Sequence, residues 1–148
     1  LKENALIGGE ESGGYGFRGH VPERDALLAG LYFLDFMVST GKSPSELLEY
    51  LFSKVGPHFY NRRDFHFPAE KRQEIIDRIS RANPGMIGNT KVVHFDTTDG
   101  FRFSMEDKSW LLIRFSGTEP LIRIYAESDS MERVEQILDF GQEMSGVQ

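Results

Sequence analysis

Residues 110–127 read WLLIRFSGTEPLIRIYAE, and this stretch decides how the C-terminal half of the chain folds. Two apolar runs with interspersed polar residues flank the sequence Ser-Gly-Thr-Glu-Pro, which predicts two antiparallel strands joined by a tight turn. Side chains two positions apart in a strand share one face of the sheet. If both strands present their arginines on the same face, the guanidinium groups of Arg114 and Arg123 flank the turn closely.

The predicted turn has the chemistry of an anion site. Like charges that face each other across strands destabilise a sheet, whereas an anion between two arginines reverses the sign of the interaction. The planar fork of arginine matches phosphate oxygens with two hydrogen bonds. The hydroxyls of Ser116 and Thr118, with the backbone N–H groups around Gly117, complete a small nest for an anion. The alternative is a surface hairpin whose arginines pair with nearby acids, namely Glu119, Glu127 or Asp129.

The rest of the C-terminal half predicts further strands and helices around this hairpin. Weak alternation predicts a strand at residues 58–67, and an apolar stripe at helical spacing predicts a helix at residues 68–83. The other predicted elements are two strands and a last helix, at Lys91–Phe95, Phe101–Met105 and Met131–Met144. We therefore expect residues 58–148 to form a small α+β domain, an antiparallel sheet with two helices on one face.

Residues 1–57 carry a different pattern. Residues 23–40 predict a helix that is apolar on almost every side, which is typical of a buried helix. The sequence Ser43-Pro44-Ser45-Glu46 has the form of a capping box with proline at the first helical position, so a second helix is expected from there. We expect this first domain to be the end of an α/β unit whose strands precede the chain.

A glycine-rich stretch, GGEESGG at residues 8–14, lies near the start of the chain. Glycines on both sides let the backbone approach a ligand without an intervening Cβ atom. Glu10 and Ser12 are two residues apart, so in an extended segment they point to the same side. A carboxylate that accepts, beside a hydroxyl that donates and accepts, matches a pair of sugar hydroxyls. The alternative is a solvated surface loop.

The composition argues against several classes of partner. The chain has 148 residues, a formal net charge of −6 and no lysine or arginine block longer than two residues, so no nucleic-acid partner is expected. Its apolar runs are too short to span a membrane, and it contains no cysteine. These features fit a cytoplasmic protein. The histidines and acids form no metal-ligand motif, so we expect no metal to bind within this chain.

Two stretches together resemble the α-D-phosphohexomutase family, the phosphoglucomutases and phosphomannomutases. GGEESGG is similar to the sugar-recognition loop of that family's third domain, and RFSGTEPLIRIY is similar to the phosphate-binding loop of its fourth domain. The resemblance implies that Glu10 and Ser12 bind sugar hydroxyls. It also implies that five residues hold the phosphate that is not reacting, namely Arg114, Ser116, Gly117, Thr118 and Arg123.

A third segment, GHVPERD at residues 19–25, resembles the part of the family that follows the sugar loop. This resemblance implies that His20 and Arg24 approach the ligand. Members that favour amino sugars, or that act on both glucose and mannose, often have a different residue in place of Glu11 and a histidine in place of Gly14. The residues at these two positions therefore favour a resemblance to the phosphoglucomutases.

The family reaction moves a phosphoryl group between the 1- and 6-oxygens of a hexose, through an active-site phosphoserine and a hexose 1,6-bisphosphate. The family's phosphoserine and magnesium loops do not occur in this sequence. The resemblance thus implies the C-terminal part of a phosphohexomutase acting on glucose or mannose. Mg²⁺ is then expected outside this chain, and the missing N-terminal domains are its partner. The chain alone is expected to bind a phosphosugar without mutase activity.

Two alternatives stay open at this point. One is a stand-alone phosphosugar-binding module, and the other is a relative of the phosphoglucosamine mutases or phosphopentomutases. Turnover by the whole protein separates a mutase from a binding module. The preferred sugar phosphate separates the kinds of mutase.

Overall fold

A computed structural model describes residues 4–10 and 13–148 of the chain. The chain divides into two compact units, Leu1–Lys54 (unit 1) and Val55–Gln148 (unit 2). None of the helices formed by the described residues combines the length and the apolarity that crossing a bilayer requires.

The described part of unit 1 is a two-stranded hairpin followed by two helices. Strand β1 (Ile7–Gly9) pairs antiparallel with β2 (Tyr15–Phe17), and the helices are α1 (Ala26–Thr40) and α2 (Pro44–Val55). The hairpin contacts α1 through the rings of Phe17 and Tyr32, whose centroids lie 5.0 Å apart.

Both helices of unit 1 begin at capping residues. The Asp25 carboxylate accepts from the Leu28 N–H at 2.9 Å and thereby caps α1. Ser43 and Glu46 cap α2 reciprocally, since the Ser43 N–H donates to Glu46 Oε2 at 2.8 Å and the Glu46 N–H points at Ser43 Oγ at 3.4 Å. These bonds confirm the capping box and the helix start that the sequence predicts.

The prediction that the first helix is buried is wrong. None of the residues of α1 is buried, and Leu27 and Val38 are 83% and 82% exposed. An apolar composition indicates that a helix would be stabilised by burial against another surface. The helix is buried only where such a surface is present. The described part of unit 1 leaves most apolar side chains of α1 facing solvent.

Unit 2 contains a six-stranded antiparallel sheet and two long helices. The strands have the spatial order β3-β8-β7-β6-β5-β4. Along the chain they are β3 (Phe59–His66), β4 (Met86–Ile87), β5 (Thr90–Asp96), β6 (Phe101–Met105), β7 (Trp110–Phe115) and β8 (Leu121–Ser128). The helices are α3 (Arg72–Ala82), which follows a short 3-10 turn at Ala69–Lys71, and α4 (Met131–Ser145).

Both helices of unit 2 pack on one face of this sheet. Alternate residues of the neighbouring strands β7 and β8 point into the core and are fully buried, namely Leu111, Ile113, Ile122, Ile124 and Ala126. The same core contains side chains of both helices, namely Ile75, Ile79, Val134, Ile137 and Leu138. The predicted α+β domain, an antiparallel sheet with two helices on one face, is thus confirmed. The two-residue strand β4 was not predicted.

Helix α4 lies close against the sheet because of a glycine. A Cβ atom at Gly141 would lie 2.7 Å from Cγ2 of Ile124 and 2.9 Å from Cδ1 of Leu111, which is closer than packed side chains tolerate. The helix therefore packs its backbone directly on β7 and β8. The opposite face of the same two strands is left to carry Arg114 and Arg123.

Candidate functional site

The arginines of β7 and β8 lie opposite each other on the sheet face that α3 and α4 leave uncovered. Arg114 pairs with Arg123 in the β7–β8 ladder, next to the core pair Ile113 and Ile124. Because alternate residues of a strand take opposite faces, both arginines point away from the helices. The register therefore meets the condition that the sequence left open, and it brings the two guanidinium groups to one side of the sheet.

The turn between β7 and β8 is closed by backbone hydrogen bonds. The Ser116 N–H donates to the Leu121 carbonyl at 2.8 Å, and the Leu121 N–H donates to the Glu119 carbonyl at 2.8 Å. The Thr118 N–H points at Ser116 Oγ at 3.5 Å. Ser116 is buried, whereas Gly117 and Thr118 are exposed. The structure thus brings the three predicted turn residues together, with Ser116 inside the turn and the next two facing solvent.

Each of the two arginines has an aspartate beside it. Arg114 Nε lies 3.2 Å from Oδ1 of Asp99, and Arg123 Nε lies 3.7 Å from Oδ2 of Asp64. Both arginine side chains stay open to solvent, with 44% and 33% of their areas exposed. The Nε atom of Arg123 is itself buried and has no hydrogen-bond partner among the described residues. An anion at this face therefore meets two accessible guanidinium groups whose charges are partly balanced.

Sequence reasoning missed both aspartates. Asp64 faces Arg123 in the β3–β8 ladder, and Asp99 lies in the turn between β5 and β6. Glu127, one of the acids expected as a partner of the arginines, instead lies 2.9 Å from Nδ1 of His58. The spacing of residues along the chain could not identify the two aspartates, because they approach the arginines only when distant strands and turns come together in the sheet.

A glycine holds Asp99 beside Arg114. Gly100 has a φ of +108°, a conformation that favours glycine. A Cβ atom there would lie 2.6 Å from the carbonyl oxygen of Ile113 and 3.3 Å from Cα of Arg114. The β5–β6 turn therefore lies directly on β7, and Asp99 stays next to the guanidinium group.

In unit 1 the hairpin brings Glu10 to Arg24. Nη1 of Arg24 donates to Oε2 of Glu10 at 2.8 Å, and this hydrogen bond raises the pKa of Arg24. The Glu10 N–H donates to the Gly14 carbonyl at 2.9 Å, which closes the hairpin turn. Glu10 and Arg24 line a groove of about 460 Å³, a size typical of small-molecule sites. Ser12, which was predicted to act with Glu10, lies outside the described residues.

His20 has a different partner. Its Nε2 atom lies 2.8 Å from Oδ2 of Asp25, whose other oxygen caps α1. Hydrogen bonds from the Leu28 N–H and from His20 lower the pKa of Asp25, so this carboxylate stays ionised near neutral pH. The structure therefore brings Arg24 to Glu10 and ties His20 to the start of α1.

Within residues 4–10 and 13–148, no group of three or more His, Asp or Glu side chains could hold a metal ion. Mg²⁺ is bound in proteins by oxygen ligands in octahedral geometry, usually carboxylates together with substrate phosphates. The family resemblance implies a magnesium site outside this chain, so these residues are not expected to supply it.

Comparison with known families matches both parts of the chain. Residues 1–55 match the family model described as phosphoglucomutase/phosphomannomutase, alpha/beta/alpha domain III. Residues 68–141 match the model described as phosphoglucomutase/phosphomannomutase, C-terminal domain. These two domains in this order define the class, the phosphohexomutases. The chain belongs to the phosphoglucomutase/phosphomannomutase family.

Known proteins similar to this chain carry mutase names. It is 33% identical over 141 residues to a phosphoglucomutase/phosphomannomutase of Thermococcus kodakarensis, which covers 95% of this chain and 28% of that protein. It is 34% identical over 137 residues to a probable phosphoglucosamine mutase of Methanothermobacter thermautotrophicus, which covers 92% of this chain and 29% of that protein. This chain thus spans less than a third of the length of both relatives.

A solved structure shares the fold. The chain matches a phosphoglucomutase/phosphomannomutase family protein of Burkholderia thailandensis with a TM-score of 0.66 and 20% sequence identity. The match covers 97% of this chain and 28% of that one. At this identity the likeness establishes the fold and carries no statement about substrate.

Proposed function

We propose that the whole protein interconverts hexose 1-phosphates and hexose 6-phosphates, with glucose as the preferred sugar, and that this chain supplies two of its binding surfaces. Glu10 and Ser12 bind sugar hydroxyls at the hairpin of unit 1. Arg114, Arg123 and the β7–β8 turn bind the phosphate that is not reacting. The phosphoryl group moves through a phosphoserine and a hexose 1,6-bisphosphate, and the N-terminal domains of the same protein provide the serine and the Mg²⁺ site.

The observation that supports this proposal is the pairing of Arg114 with Arg123 on an open sheet face. Directly opposed like charges destabilise a sheet, by an amount on the order of 1 kcal/mol. Asp64 and Asp99 offset part of this repulsion, yet both guanidinium groups stay accessible. A phosphate dianion accepts hydrogen bonds from two arginine forks at once, so its binding removes the repulsion that remains.

The proposed reaction requires that one end of the ligand stay bound while the other end reacts. A hexose bisphosphate that reorients between two phosphoryl transfers must be held at one phosphate while the other reacts. Binding energy at the non-reacting end is thereby converted into orientation of the reacting end. The β7–β8 turn suits this role because backbone hydrogen bonds close it and its two arginines belong to adjacent strands of one sheet.

A second candidate is the interconversion of glucosamine phosphates. Identities of 34% and 32% to proteins named as phosphoglucosamine mutases, close to the 33% for the Thermococcus protein, favour it. Glu10 offers a carboxylate with which an ammonium group at carbon 2 of the sugar can pair. Both candidates use the same phosphate site, so the sugar preference depends on the hairpin of unit 1.

Turnover by the whole protein, expressed from the complete gene, tests this proposal. Glucose, mannose, glucosamine and ribose 1-phosphates are supplied in turn, and the isomerised product is measured. We expect conversion of hexose 1-phosphates, fastest for glucose, and no turnover by the 148-residue chain alone.

Each other outcome has a stated meaning. A preference for glucosamine 1-phosphate would favour the second candidate, and a preference for ribose 1-phosphate would contradict the hexose assignment. Binding of hexose phosphates without turnover of any substrate would instead support a stand-alone binding module.

A further inference from the structure

An arginine from outside the predicted site contacts the β7–β8 turn. Arg72, the first residue of α3, donates from Nη1 to the Ser116 carbonyl oxygen at 3.1 Å. Its guanidinium group also lies over the ring of Phe115, 5.0 Å from the centroid. The aromatic ring and the hydrogen bond together hold this half-buried side chain in one position.

Arg72 reaches the turn from the helix-covered side of the sheet. Phe115 packs against the core of unit 2 and meets the ring of Phe67 edge-on, with centroids 5.6 Å apart. The guanidinium group that stacks on Phe115 therefore lies on this side. Arg114 and Arg123 point to the other side. The Ser116 carbonyl consequently points away from the face that carries the paired arginines.

This carbonyl fixes the direction of the next N–H group. In a planar trans peptide the C=O and the following N–H point in opposite directions. The described residues contain no cis peptide bond. With the Ser116 carbonyl held towards Arg72, the Gly117 N–H points in the opposite direction, away from Arg72. Gly117 is exposed, and a Cβ atom there would meet nothing within 4 Å, so the space beside this residue is open.

We propose that Arg72 is a positioning residue for phosphate binding, which holds the Ser116–Gly117 peptide so that its N–H joins the two arginines in binding the anion. This role rests on the proposed function of the β7–β8 turn. The ligand class is a phosphate monoester or inorganic phosphate. Arg72 does not touch the anion and acts through the peptide that it orients.

The test compares variants of the 148-residue chain by NMR with inorganic phosphate as the probe. Arg72→Ala is expected to move the Gly117 amide resonance before any phosphate is added, and to weaken phosphate binding about five- to tenfold, the loss of one good donor. Arg72→Lys keeps a charge and a donor but loses the planar stack on Phe115, so it is expected to bind with intermediate affinity.

Arg81→Ala is the matched control. Arg81 lies on the same helix, 80% exposed, and pairs with Asp77 at 3.6 Å. Its removal changes the net charge equally and is expected to leave the Gly117 resonance in place and phosphate affinity within about twofold. The unfolding midpoint of each variant is measured in parallel, so that a loss of affinity in a folded variant is attributed to the turn.

Three results would overturn the positioning role. Native affinity in Arg72→Ala with an unmoved Gly117 resonance would do so, and so would an equal loss of affinity in Arg72→Ala and Arg81→Ala. If the native chain itself binds no phosphate, the proposed function of the turn fails, and the positioning role fails with it. If the native chain binds phosphate and Arg72→Ala binds it equally well, the positioning role fails while the proposed function of the turn stands.

Discussion

Arg114→Ala is expected to weaken the binding of glucose 6-phosphate to this chain by roughly 1.5–3 kcal/mol, the size of a charge-assisted hydrogen-bond contact. This free energy corresponds to an increase of about 10- to 140-fold in Kd. The reason is that the variant removes one of two facing guanidinium groups and leaves Asp99 beside the anion without its cation. Isothermal titration calorimetry of the native chain and the variant measures the difference.

The chain offers a matched control on the same sheet face. Arg102 on β6 pairs with Leu112 of β7, and its guanidinium group lies over Trp110, 5.4 Å from the ring centroid, away from the turn. Arg102→Ala removes the same charge and is expected to change Kd by less than about threefold, since its exposed guanidinium group lies over Trp110 and an exposed charge contributes little. Equal losses of affinity in Arg102→Ala and Arg114→Ala would show that the anion responds only to the positive charge of this sheet face. That result would contradict a specific phosphate site at Arg114.

Ile124→Ala is expected to lower the free energy of unfolding of unit 2 by about 2–5 kcal/mol. Ile124 is fully buried at the centre of β8, and its Cγ2 methyl group, which the variant removes, lies beside Gly141 of α4. Urea unfolding followed by fluorescence reports on this unit, because the one tryptophan of the chain is Trp110 in β7.

Val93→Ala serves as the comparison for this truncation. Val93 lies on β5 with 57% of its area exposed, so its removal leaves no cavity. The expected change is within about 0.5 kcal/mol. If both variants lose the same small amount, α4 does not pack on β8 as described, and the sheet face that carries the arginines is no longer defined by that packing.

The fold of unit 2 could be predicted in outline from its sequence pattern. In residues 110–127, two apolar runs on either side of Ser-Gly-Thr-Glu-Pro predicted both strands and the turn between them, because apolar runs bounded by turn-forming residues are a local signal. The capping box at Ser43 predicted the start of α2 for an equally local reason. Burial of α1 could not be predicted this way, since it depends on a covering surface and not on the helix itself.

The candidate site could be predicted in part. Ser116, Gly117 and Thr118 are neighbours in the chain, so a local pattern was enough to group them. The meeting of Arg114 with Arg123 depended on strand register, which the sequence left open and the β7–β8 ladder provides. Three further residues reach the site through pairing and packing between distant segments, namely Asp64, Asp99 and Arg72.

The most direct test is to observe which groups respond when the chain binds a phosphosugar. Glucose 6-phosphate is titrated into the isotopically labelled 148-residue chain, with glucose at equal concentrations as the control. We predict that the phosphorylated sugar shifts the amides of residues 116–118 and the side-chain signals of Arg114 and Arg123, and that glucose leaves them in place. Unchanged signals at these five residues, with or without shifts elsewhere, would contradict a phosphate site at this turn.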